Sequence, residues 1–136
     1  MFKVIQENNI ITAFISGSFD ALAQKASMDL GGVNHIYAHC KLEFDQEGLL
    51  NKWELSSTDY KDKAQFIKRI AEKYGVKLKE CAYIGDDVND VDVFRKVGLS
   101  IAFNCRKKSV LEVANVIIES QDIRSIIPYL KVLRKK

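Results

Sequence analysis

Three short runs in this chain carry residue types able to handle an anion and a hard cation. FISGS, residues 14–18, ends an apolar run in Ser16, Gly17 and Ser18; a hydroxyl with exposed backbone amides at a helix start binds phosphate oxygens. Lys63 lies near the start of DKAQFIKRIAEKYGV, where an ammonium neutralises charge on a transferring group. YIGDDVND then sets Asp86, Asp87, Asn89 and Asp90 at the end of an apolar segment, with Asp92 two residues on. Four carboxylates so close repel one another unless a cation joins them, and Mg²⁺, which prefers oxygen ligands and keeps several waters, suits them. The same residues also suit a second set of roles. Asp86 or Asp87 can cap a helix while the other acids favour its positive end, SGS can be a plain turn, and Lys63 a surface lysine.

The elements that must position these residues alternate between strand and helix. Residues 2–7 read as the last turns of a helix and 10–15 as a buried strand, with the turn 16–18 leading into a helix over 19–30 that Gly31 and Gly32 terminate. Residues 35–39 read as a short strand, and 42–44 and 49–55 as a hairpin around the turn 45–48. A helix over 61–74, ended by Gly75, shows Ala64, Ile67, Ile70, Ala71 and Tyr74 on one face. Residues 81–84 form a buried strand closed by a turn at Gly85, and Val88, Val91, Phe94 and Val97 repeat at helical spacing. Strand 100–103, helix 109–113, strand 116–118 and helix 123–133 complete the chain, the last kinked or divided by Pro128. Such alternation predicts an α/β fold with a parallel sheet covered by helices on both faces. In that architecture the carboxyl ends of the strands are where ligands bind.

Composition sets the background. With 136 residues, 47% of them hydrophobic, the chain reads as a single domain over 1–136. No apolar run approaches the roughly 20 residues that span a bilayer, and MFKVIQENN lacks the zones of a signal peptide. The reading is a cytoplasmic protein without a membrane partner. Cys40, Cys81 and Cys105 form no CxxC and are read as reduced, mostly buried thiols. A net charge of +3 is too mild to argue for nucleic acid. Arg106, Lys107 and Lys108 read as solvated cations at a helix end.

Taken together, the runs carry a resemblance. FISGSFDALAQKASMDLG resembles the second motif of the haloacid dehalogenase (HAD) superfamily, Lys63 in DKAQFIKRIAEKYGV its third, and YIGDDVNDVDVFRKVGLSIAFNCRKKSVLEVANVII its fourth. Within that superfamily the chain is similar to the phosphoserine phosphatases, with HCKLEFDQEGLLNKW at the place of their strand pair. The resemblance implies a three-layer, Rossmann-like parallel sheet with a β-hairpin, and Mg²⁺-dependent hydrolysis of a small phosphorylated metabolite. It also implies roles: Ser16, Gly17, Ser18 and Asn89 on phosphate, Lys63 pairing phosphate and nucleophile, Asp86 on Mg²⁺, and Asp90 orienting the catalytic groups. GDDVND in place of GDGAND also resembles sugar-acid phosphate phosphatases, which leaves the substrate class open.

One part of the family pattern is absent. HAD hydrolases carry an apolar strand ending in DxDx[TV], whose first aspartate attacks phosphorus and whose second acts as acid and base. No aspartate precedes Ser16, and the single DxD, Asp90-Val91-Asp92, falls inside the predicted helix after the fourth motif. The cap that phosphoserine phosphatases insert between their first and second motifs is missing as well. The expectation is a HAD-like core lacking its central nucleophile strand and inactive alone. A noncatalytic phosphate-binding or protein-interaction module is the alternative. The gap in the sheet would be closed by direct pairing of its neighbours, by a homo-oligomer, by a complementing chain or by a segment of a longer product.

Overall fold

The computed structural model describes residues 5, 7–56 and 63–130. The chain divides into two compact units, Met1–Tyr60 and Lys61–Lys136, each built on its own three-stranded sheet.

In the first unit, strand β1 (Ala13–Phe19) leads directly into helix α1 (Asp20–Asp29), which returns the chain to β2 (His35–Phe44) lying parallel to β1. The register starts at Ala13 opposite His35, next to a side-chain clamp in which Asn34 Oδ1 accepts from the Thr12 amide at 2.9 Å and its hydroxyl at 3.0 Å. Asp20 fixes the other end of α1: Oδ1 accepts from the Ala21 amide at 2.8 Å and from the Leu42 amide of β2 at 2.9 Å. Gly31 and Gly32, at φ +90° and +87°, end the helix in a conformation costly for other residues.

Two expectations change here. Ser16, Gly17 and Ser18 belong to β1 itself, not to a free turn. Ser16 lies opposite Ala38 and Phe19 opposite Cys40, so β1 spends three steps where β2 spends two. The surplus residue is a bulge, and the Ser18 amide donates to Ser16 Oγ within it at 3.1 Å. The two short strands predicted over 35–39 and 42–44 are one continuous β2, because its parallel pairing with β1 and its antiparallel pairing with β3 (Leu50–Leu55) meet at Cys40. The hairpin turn is as expected, with Asp45 Oδ1 accepting from Glu47 and Leu49, both at 2.9 Å, and Gly48 at φ +82°.

In the second unit, helix α2 (Lys63–Lys73) buries Ala64, Ile67 and Ala71. Tyr74, placed on that face by spacing, is 39% exposed, since Gly75 (φ +63°) turns the chain away at once. Residues 2–4, 6, 61, 62 and 131–133 of the predicted helices lie outside the described residues. Strands β4 (Ala82–Gly85), β5 (Leu99–Phe103) and β6 (Val116–Ile118) run parallel in that order. Between β4 and β5 the chain forms a 3₁₀ turn (Val88–Asp90) and helix α3 (Val91–Lys96), and between β5 and β6 helix α4 (Lys108–Leu111). Val93, Ile101, Ala102 and Val110 are fully buried. Ser100, also fully buried, is satisfied by Asn115: its hydroxyl donates to Asn115 Oδ1 at 2.9 Å and accepts from the Asn115 amide at 3.0 Å. The final helix is divided, as Pro128 led us to expect, into a 3₁₀ segment (Ile123–Ile126) and helix α5 (Ile127–Leu130), with proline in the first turn where no amide donor is needed.

The parallel strands joined through helices are the α/β class anticipated from the alternation. Among the described residues no helix is long and apolar enough to cross a membrane.

One position limits what β5 tolerates. A Cβ on Gly98 would strike the Lys79 carbonyl, whose carbon would lie at 2.6 Å, and the Gly98 amide is itself bonded to Leu78 O at 3.1 Å. Backbone on both sides prevents easy relief. Gly98→Ala should therefore lose about 1–3 kcal/mol, the usual range for overpacking, read as a lower urea midpoint at an unchanged slope.

Candidate functional site

The candidate site is built around the carboxylate of Asp90, whose side chain is 2% exposed. Four donors converge on it. Lys63 Nζ, at the start of α2, lies 2.7 Å from Oδ1, and the Tyr83 hydroxyl of β4 donates to the same oxygen at 2.9 Å. Oδ2 accepts from the backbone amides of Asp86 at 3.0 Å and Asp87 at 3.1 Å. A buried carboxylate holds its charge only when paired and fully hydrogen-bonded, and here both oxygens are saturated. The approach also explains Gly85. That residue ends β4 without a positive φ, and a Cβ there would lie 2.6 Å from Asp90 Cγ. Glycine is needed for close packing against the carboxylate, not for the tight turn expected from sequence.

Lys63 also donates to Asn89 Oδ1 at 3.1 Å, which sets the orientation of that amide. Asn89 Nδ2 is then left buried, with no hydrogen-bond partner among the described residues. A buried donor with no acceptor is costly, and this one lies beside a cation.

The acids do not gather as one cluster. Asp90 takes Lys63, Asp87 takes Lys107 at 2.5 Å, and Asp92 takes Lys96 at 2.5 Å, one helical turn along α3. Asp87 caps the 3₁₀ turn, accepting from the Val88 amide at 2.5 Å, so the capping role holds for Asp87. Asp86 is the exception. It is exposed and its carboxylate has no hydrogen bond or ion pair among the described residues. No group of three potential metal ligands occurs among those residues. A cation that retains most of its waters needs only one or two protein carboxylates, so Asp86 fits Mg²⁺ as a single anchoring ligand.

Lys63, Asp86, Asn89 and Asp90, singled out by sequence, are thus brought together in the second unit. Ser16, Gly17 and Ser18 lie in the first, within the β1 bulge. Three contributors were missed. Tyr83 reads as one more apolar strand residue, although its place two before Gly85 puts it on the same strand face. Lys107, expected as a solvated cation, is bound to Asp87 across 20 residues of sequence. Cys105, expected to be buried, is 3% exposed, and its thiol also donates to the Asp86 carbonyl at 3.0 Å while its sulfur accepts from the Lys107 amide at 3.3 Å.

The Lys107 ammonium, and after it the Val88 amide, hold the Asp87 carboxyl below its ordinary range, while Asp87 raises Lys107 in turn. A carboxylate with a lowered folded-state pKa adds stability above its unfolded pKa and loses it as pH falls through the folded value. Lys107→Met should move the Asp87 titration, followed by carboxyl-carbon shifts, to higher pH. Asp90→Asn should have a larger effect, about 3–5 kcal/mol as for breaking a buried ion pair, measured by denaturant unfolding.

Comparison with known proteins fits this geometry. Residues 34–130 match the haloacid dehalogenase-like hydrolase family. The chain is 32% identical over 135 residues to a phosphoserine phosphatase of Methanocaldococcus jannaschii, covering 95% of this chain and 60% of that protein. It is 29% identical to one from Campylobacter jejuni subsp. doylei, at 93% and 60% coverage. Among solved structures, a phosphoserine phosphatase in apo form superposes with a TM-score of 0.79 at 29% identity, covering 95% of this chain and 63% of that one. A substrate-bound phosphoserine phosphatase complex gives 0.78 at 30% identity, covering 94% and 60%. The chain therefore spans about 60% of the length of these relatives. It belongs to the haloacid dehalogenase-like hydrolases, by a match that runs through its second sheet and the residues around Asp90.

Proposed function

We propose that this chain carries the phosphate- and metal-handling part of a HAD phosphomonoester hydrolase of the phosphoserine phosphatase kind, working in the cytoplasm. The observation that supports this best is the unspent Asn89 Nδ2 beside the Lys63 ammonium. A phosphoryl oxygen is the chemistry that would use both, accepting a hydrogen bond from the amide while the cation offsets its charge. Asp90 acts as a positioning residue, holding Lys63 in place. Ser16, with the Gly17 and Ser18 amides, is assigned to the phosphate on family resemblance alone, and the Ser18 amide would have to leave Ser16 Oγ to serve it. Asp86 would hold Mg²⁺, which when bound supplies Lewis-acid polarisation of phosphoryl oxygens.

On this reading the described residues bind, orient and neutralise, and none of them is assigned the attack on phosphorus. Asp90 is fully committed to four donors, Asp92 to Lys96, and no aspartate precedes Ser16. The attacking carboxylate would come from outside this stretch, and β1 and β4, each at an open end of its own sheet, are edges able to accept a further strand. The same observation favours a second reading, a phosphate-binding module that does not catalyse. Serine phosphate and sugar-acid phosphates remain the two substrate classes that the GDDVND run suits.

Titration with inorganic phosphate and separately with Mg²⁺, followed by amide and side-chain shifts, tests the binding reading. Lys63 and Asn89 should respond to millimolar phosphate and Asp86 to Mg²⁺. Asn89→Ala should weaken phosphate binding roughly tenfold or more, as for one hydrogen bond to a charged group. Silence at both Lys63 and Asn89 would remove the site. Turnover of phosphoserine with Mg²⁺ should not exceed that of an Asp86→Ala control, and sustained Asp86-dependent turnover would show that the chain contains its own nucleophile.

A further inference from the structure

The hairpin of the first unit leaves one strand edge whose chemistry complements itself. Strand β3 ends its sheet, and all six of its residues are exposed. Its two faces differ sharply. On one, Lys52 and Glu54 lie opposite Glu43 and Lys41 of β2, and Lys52 also pairs with Glu54 along the strand. On the other, Trp53 and Leu55 lie opposite Leu42 and Cys40, with Trp53 60% and Leu55 57% exposed.

The hydrogen-bond phase of the ladder decides which backbone groups point outward. The Ser56 amide donates to His39 O at 2.7 Å. Antiparallel pairing alternates bonded and non-bonded residues, so Glu54 and Lys52, in phase with Ser56, turn their amides and carbonyls toward β2. Trp53 and Leu55 turn theirs away, to the open edge, while Asn51 is the extra residue where the register slips between Glu43 and Phe44. Among the described residues no strand pairs with this edge, and such an edge is a template for another strand.

We propose that β3 pairs antiparallel with β3 of a second copy of this chain, about a two-fold axis at Trp53. Charge selects that register. An axis at Lys52 sets lysine against lysine, and an axis at Glu54 sets glutamate against glutamate, which is destabilising for residues directly opposite. An axis at Asn51 or Leu55 leaves both charges facing neutral residues. With the axis at Trp53, Lys52 faces the partner's Glu54 and Glu54 faces the partner's Lys52. Both are non-hydrogen-bonded pairs, where side chains approach most closely. Trp53 then meets the partner's Trp53 through the outward-facing backbone groups, and Leu55 lies opposite the irregular position of the partner's Asn51. A lysine in an edge strand ordinarily discourages such pairing; here the glutamate across the axis neutralises it. The charged faces join into rows that alternate in sign, Glu43, Lys52, the partner's Glu54 and the partner's Lys41. The interface is isologous and closed, as two-fold pairing requires.

The inference is independent of the hydrolase reading, and its test needs no substrate. Sedimentation velocity of the full chain from about 1 to 100 µM, concentrations that separate micromolar dimers from monomers, should show a concentration-dependent dimer. Amide exchange at Trp53 and Leu55 should slow as concentration rises. Lys52→Glu and Glu54→Lys should each raise the dimer dissociation constant at least tenfold, with circular dichroism unchanged. Mixing the two variants should restore association as a heterodimer, visible by native mass spectrometry, since each then faces opposite charge. A wild-type monomer throughout, with no change in exchange at the two amides, would overturn the proposal, whether or not an unrelated strand can occupy the edge. So would a dimer indifferent to both charge reversals, or variants that remain monomeric when mixed.

Discussion

The buried carboxylate of Asp90 is the constraint on which the second unit depends. One side chain accepts from the start of α2, from a hydroxyl on β4 and from two successive amides of the loop that follows β4. It thereby ties a helix, a strand and a turn to a single pair of oxygens. Removing any donor would leave a desolvated charge undercompensated, so the four contacts hold or fail together. Gly85 has to be glycine because the carboxylate occupies the space of its side chain, and Tyr83 has its hydroxyl bonded there while its ring meets Phe94 edge-on, centroids 6.0 Å apart.

Charge around that anchor is balanced residue by residue. Three of the four loop acids each have their own lysine, leaving Asp86 as the free carboxylate. A loop of four unpaired acids would need a cation merely to fold. This one is neutralised by its own chain, so any metal binds to an already formed loop through one exposed ligand. Beside that ion pair, Lys63 also reaches Asn89 Oδ1 and leaves the Asn89 amide nitrogen without an acceptor among the described residues.

In the first unit the same work is done by short polar side chains acting on backbone. Asn34 and Thr12 set where the parallel register of β1 and β2 begins, Asp20 ties α1 to β2, and Asp45 closes the hairpin. Each offers amides a side-chain acceptor in one register only, Asp45 within its own turn and Asn34 and Asp20 across 22 residues of sequence. The bulge at Ser16–Phe19 shows the limit of composition as a local signal. SGS has the composition of a turn, yet β2 pairs with it and draws it into the strand, leaving the extra residue as an irregularity.

The linear sequence by itself determined most of the elements, since hydrophobic period, glycines and caps act within a few residues. The strand at 116–118, the stop at Gly75 and the hairpin around Asp45 are legible because their causes lie within a turn or two of chain. Lys63, Asp86, Asn89 and Asp90 were legible by their motif spacing. Tertiary structure alone decided how the acids are shared out, since the Lys63–Asp90 and Lys107–Asp87 pairs span 27 and 20 residues of sequence and no local pattern predicts which lysine a carboxylate will meet. It also decided that β2 is one strand and that the Ser16 run is a bulge, because strand pairing is a non-local interaction that overrides turn propensity. Periodicity can say that Tyr83 points inward. Only packing against Asp90 says that its hydroxyl, and not just its ring, is needed there.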